Sequence, residues 1–93
     1  MNIKGTTPSG FVYSVSDTLA DDMEFLDSLA AFEAAEDPAA LSIMVDRMFD
    51  KAQKKALYKH CRQEDGHVST RAVINEVVAI FHGVGAESEE LKN

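Results

Sequence analysis

At 93 residues and 10.2 kDa the chain has room for one domain and little else. Its 45% hydrophobic and 27% charged content excludes a disordered polymer, and no run approaches the roughly 20 apolar residues that span a bilayer. A net charge of −7 argues against nucleic acid as a direct partner, and the lone Cys61 excludes an internal disulfide framework and suits a reducing compartment.

From the N-terminus, Phe11, Tyr13 and Val15 alternate with Val12 and Ser14, the period of a strand. Thr7-Pro8-Ser9-Gly10 just before them is turn chemistry, so Asn2 to Thr6 is read as the returning strand of a β-hairpin over 2–15. A lone hairpin is marginally stable, so one face is expected to lie on helices. No basic-then-apolar leader opens the chain, and the protein is expected to stay where it is made.

Ser16, Asp17 and Thr18 then offer N-cap chemistry, with Thr18 and Asp21 spaced as a capping box. The predicted first helix runs over about 18–35, with Met23, Phe25, Leu26, Leu29 and Phe32 on a wide apolar arc. Asp37-Pro38 starts a second helix, 38–49, with Leu41, Met44, Val45, Met48 and Phe49 on one face. Asp50 caps a third, 51–63, whose apolar face is Ala52, Leu57 and Cys61; Gly66 is read as its end. Ser69 caps a fourth, 70–82, where Val73-Ile74, Val77-Val78 and Phe81 fit a helical period better than a strand, and Gly83 and Gly85 are read as its stop. The expected fold is therefore mainly α, a compact bundle of about four short helices with a small N-terminal β-hairpin, in one domain over 1–83 with a flexible polar tail over 84–93.

Candidate chemistry is thin. Between Asp17 and Asp37 stand eight carboxylates and no Lys or Arg, while Arg47 to Arg62 holds six basic residues and one acid. The two stretches either face each other or face water; the functional alternative is an acidic surface that steers a basic partner helix. Consecutive acids on a solvated helix do not supply the two differing carboxyl environments of acid–base catalysis. His60 and Cys61 are neighbours on a helix, about 100° apart, which suits neither a shared metal ion nor a nucleophile–base pair. No catalytic residue, metal ligand or cofactor is expected. The remaining surplus is apolar: Phe25, Leu29 and Phe32 at the edge of the first helix, with the adaptable Met44 and Met48 of the second, are the candidate partner-binding residues, and an amphipathic helix would be their natural ligand.

The order of features has a resemblance. Ile3-Lys4-Gly5-Thr6-Thr7, Gly10-Phe11-x-Tyr13-Ser14-Val15, the acidic Asp21-Asp22-Met23-Glu24-Phe25-Leu26, Ala56-Leu57-Tyr58-Lys59-His60-Cys61 through Gly66-His67-Val68, and a last apolar helix ending near Phe81 follow one another. The chain thus resembles the tail assembly chaperones of long-tailed (siphovirus-type) bacteriophages and prophages. That resemblance implies a non-enzymatic late protein of the bacterial cytoplasm, absent from the mature virion. It implies binding to the tape measure protein, which is kept soluble while tail tube protein assembles around it, and in many members a longer frameshifted form. Neither membrane nor nucleic acid is an expected partner, and self-association stays open. The alternatives are a structural head–tail or tail completion protein, and an acidic inhibitor mimicking nucleic acid.

Overall fold

The computed structural model describes residues 2–35 and 37–92, with side chains as far as Val84. Two antiparallel strands, β1 (Asn2–Thr6) and β2 (Val12–Ser16), are followed by a 3₁₀ turn (Leu19–Asp21) and four helices: α1 (Met23–Ala35), α2 (Pro38–Met48), α3 (Lys51–Cys61) and α4 (Thr70–Lys92). The expected mainly α class with an N-terminal hairpin is what the chain forms.

In the hairpin, pairing runs from Asn2 opposite Ser16 to Thr6 opposite Val12. Phe11, Tyr13 and Val15 are buried while Val12 is 67% exposed, as the alternation predicts. The turn closes through the Thr7 N–H to the Phe11 carbonyl and the Gly10 N–H to the Thr7 carbonyl, both 2.9 Å, with Gly10 at φ +96°. On the outer edge of β2 the Ser14 N–H donates to Gln53 Oε1 of α3 at 3.2 Å.

Tyr13 lies opposite Gly5, and its ring covers that residue: a Cβ on Gly5 would stand 2.5 Å from Tyr13 Oη and 2.7 Å from Cζ. The same hydroxyl reaches α4, where a Cβ on Gly83 would stand 2.9 Å away. Two glycines distant in sequence thus form one slot for one phenol.

The first predicted helix is in fact two pieces. Thr18 makes no side-chain cap; its hydroxyl bonds to Ser16 Oγ at 2.7 Å, and the Thr18/Asp21 capping box does not form. After the 3₁₀ turn the backbone is extended at Asp22 (φ −106°, ψ 104°), and α1 begins at Met23. Asp22 caps it, accepting from the Phe25 N–H at 3.1 Å while it also receives the Arg47 guanidinium. Two start signals stand in tandem, and the second prevails because α2 supplies its carboxylate with a partner.

Other boundaries follow local chemistry. Asp37 accepts from the Ala39 N–H at 3.0 Å, Asp50 from the Gln53 N–H at 2.8 Å, and Ser69 Oγ from the Ala72 N–H at 3.2 Å. The third helix stops at Cys61, short of the predicted 63, because Arg62 bridges back to Val68. Gly66, at φ +96°, shapes that small loop and does not end the helix. The fourth helix passes through Gly83 and Gly85 to Lys92, beyond the predicted end at 82 and into the predicted tail, whose last residue Asn93 lies outside the described residues. Gly83 permits a close approach, and Val84 just after it is fully buried.

The core draws on every element, with Phe25, Met44, Leu57 and Ile80 its largest fully buried side chains. Phe11 meets Phe49 edge to face at 6.3 Å, and Phe25 meets Phe81 at 5.5 Å.

Because Tyr13 is wedged on Gly5, it cannot retreat from a methyl at position 83. Gly83→Ala is therefore expected to lower stability, by about 1 kcal/mol net of its helix-propensity gain. In a Tyr13→Phe background the same substitution is expected to be neutral or stabilising, since alanine is favoured over glycine in a helix by about 0.8–1.0 kcal/mol. A double-mutant cycle in urea reads the difference.

Candidate functional site

The most concentrated polar chemistry lies where the hairpin turn meets α4. Glu76 is on the face of α4 that carries Val73, Val77 and Ile80, and it is 6% exposed. Its Oε1 accepts hydrogen bonds from Thr7 Oγ1 at 2.6 Å and Ser9 Oγ at 2.7 Å. His60 Nε2 of α3 stands 2.9 Å from the same Ser9 hydroxyl and 3.8 Å from Glu76 Oε1.

Serine, histidine and a carboxylate together invite comparison with a hydrolytic triad. There the acid holds Nδ1 of the imidazole and leaves Nε2 to take the serine proton. Here the acid and the serine crowd the same nitrogen, and Ser9 gives its proton to Glu76, so the imidazole does not activate the hydroxyl. The cluster is a clasp that ties the turn to α3 and α4. Local spacing does not pair Ser9 with Glu76; the available signal was a carboxylate embedded in the Val73, Val77, Ile80 face.

Cys61 is 2% exposed, and burial, with a smaller contribution from the Glu76 carboxylate, pushes its thiol above the ordinary value. It packs as a small apolar residue.

Of the five residues expected to bind a partner, three are core. Phe25 is wholly enclosed, its ring on Phe81, and Met44 and Met48 are 1% and 4% exposed on the inner face of α2. The correction has a simple cause: helical periodicity identifies an apolar side, and these side chains occupy its centre, already covered by the rest of the chain. Leu29 and Phe32 remain half-buried at the margin of the core.

Phe32 leads to a trough between α2 and α4 that is more apolar at its far end than beside Phe32. One depression of about 280 Å³ is lined by Leu41, Val45, Tyr58, Val68 and Val73 among others. A second, of about 290 Å³, is lined by Phe32, Arg71 and Ile74. Pro38 and Thr70 line both, so the two adjoin. Tyr58, Val68 and Ile74 lie outside the expected partner-binding set; each is marginal on its own helix or loop, and only their convergence makes a surface.

The acidic and basic stretches are each tied to α2. Arg47 binds Asp22 through Nη2 at 3.0 Å and stands 3.5 Å from Glu24, and Lys54 binds Asp46 at 2.6 Å. The outward side of α3 carries a depression of about 470 Å³ lined by Lys51, Lys54, Lys55, Tyr58, Lys59 and Arg62.

The Phe25 N–H, and after it the Arg47 guanidinium, hold the Asp22 carboxyl below its ordinary value, against the opposing effect of desolvation.

Among the described residues, no helix is long and apolar enough to cross a membrane. Compared with protein-family models, with curated proteins and with solved structures, the chain matches none.

A depressed carboxyl stabilises the fold above its unfolded pKa, and that contribution is lost as pH falls through the folded value. Acid unfolding of the wild type below about pH 4 is therefore expected to include an Asp22 contribution that Asp22→Asn lacks, read as a shallower fall of melting temperature with pH in the variant. Cys61 is expected to react with a disulfide reagent roughly a hundredfold more slowly in the native protein than in urea, measured by thiolate release.

Proposed function

We propose that this chain is a tail assembly chaperone of the long-tailed phage type, a holding protein for the helix-rich tape measure protein. The observation that carries the reading is the trough between α2 and α4, mostly apolar where Leu41 and Val45 line it and mixed where Phe32 and Ile74 stand beside Thr70 and Arg71, on a chain of net charge −7. The order of sequence motifs from Ile3 to Phe81 supports it.

The physics of holding matches those parts. A long amphipathic chain aggregates through its apolar helix faces, and a trough that covers one face at a time removes that surface from water. Net charge then keeps the pair apart from other pairs. Each apolar side chain buried on docking contributes roughly 1.5–3 kcal/mol, so a few anchors give a usable and reversible affinity. In this reading the protein acts in the host cytoplasm and leaves before the virion is complete.

Co-expression with tape measure segments tests it. Phe32→Asp and Ile74→Asp, checked for native circular dichroism, are expected to weaken capture at least about tenfold and send the tape measure to the pellet. Val12→Asp, on the exposed side of the hairpin, is expected to leave capture intact. If the trough variants hold the tape measure as well as the wild type does, the trough is not the binding surface.

A further inference from the structure

Five of the nine basic residues of this acidic chain stand on one side of α3 and the residue that follows it. Lys51, Lys54, Lys55, Lys59 and Arg62 recur at helical spacing over about 17 Å. Lys54 is held by Asp46, and Arg62 donates to the Gly66 carbonyl at 2.5 Å. Lys51, Lys55 and Lys59 have no hydrogen-bond or ion-pair partner among the described residues. They are spaced four apart, an arrangement in which like charges face each other along a helix and destabilise it. The chain carries that repulsion on the outward side of the helix whose other side holds Leu57 and Cys61 in the core.

Tyr58 connects this face to the trough. It lines both the basic depression and the apolar one, so the two surfaces meet along its ring. A helix seated in the trough would have its flank beside the lysines.

We infer that the trough and the α3 face form one composite site, which selects amphipathic helices with acidic residues along the flank next to their apolar stripe. The inference rests on the docking reading above and adds the chemistry of the partner. Charge complementarity favours a short peptide segment over a nucleic acid. The stripe is bounded by Asp46 and Asp50 before it and by Glu64 and Asp65 after it. A long polyanion would meet carboxylates at both ends, whereas two or three turns of an acidic helix fit between them. Lys51, Lys55 and Lys59 would supply attraction and register, and the trough most of the affinity.

Two labelled 18-residue peptides test it by fluorescence anisotropy, each with a leucine and alanine face, one with four glutamates along the flank and the other with glutamines there. The expected result is about tenfold tighter binding of the glutamate peptide in 50 mM salt, fading in 500 mM salt. Lys55→Glu/Lys59→Glu, two exposed positions, is expected to remove that preference while leaving the glutamine peptide bound as before. Phe32→Asp is expected to weaken both peptides. Equal binding of the two peptides, both blocked by Phe32→Asp, overturns the acidic-flank inference and leaves the trough reading standing. Binding of neither peptide overturns both. Tighter binding of a 20-base-pair DNA than of the glutamate peptide overturns the choice of occupant.

Discussion

Glu76 sits within the apolar face of α4 with almost no exposure. A carboxylate in such a place costs several kcal/mol unless donors meet it. The donors are two hydroxyls from the hairpin turn, Thr7 and Ser9, with His60 of α3 behind them. Apolar packing alone would tolerate small slides of the hairpin over the helices; the hydroxyl bonds do not, because moving the turn would leave the charge bare. The position of β2, and through it of Tyr13, Val15 and Phe11 against the helices, follows from that requirement. The Tyr13 phenol between Gly5 and Gly83 acts farther along α4, so the hairpin is fixed at two separated places.

With the hairpin fixed, the helices divide their work. The inner sides of α1 and α2 supply Phe25, Met44 and Met48 to the core, and their margins, together with the start of α4, are left to form the trough. The surface that could receive a partner is consequently a by-product of convergence: Phe32 from α1, Pro38 and Leu41 from α2, Tyr58 from α3 and Val73 from α4 each contribute one wall. Charge adjoins it through Arg71, which lines it, and through the lysines of α3, whose face meets it at Tyr58.

Much of the fold was legible in the sequence because its signals are local. The alternation after Thr7-Pro8-Ser9-Gly10 specifies a hairpin, and Asp37, Asp50 and Ser69 each cap the helix their position predicts. What was not legible depends on distant partners. Thr18 and Asp22 compete to start the same helix, and Arg47 decides between them from another helix. Gly83 has the composition of a stop and the function of a slot, which only the Tyr13 ring reveals. Of the candidate residues, Phe32 lines the trough, while Phe25, Met44 and Met48 stand at the centre of their helices' apolar sides, enclosed in the core, which periodicity alone does not distinguish from a margin.

The bonds from Ser9 to Glu76 span 67 residues of chain. At synthesis rates of about 5–20 residues per second, roughly 3–13 s separate the emergence of the turn from that of the carboxylate it must meet. For that interval Thr7 and Ser9 have each other and, once α3 has emerged, His60, but not the carboxylate, and the Tyr13 hydroxyl has only the Gly5 half of its slot. The hairpin can thus meet α3 early, through Gln53 and His60, but its turn is fixed only on the arrival of the last helix, and a nascent chain truncated before α4 would hold the turn without its acceptor.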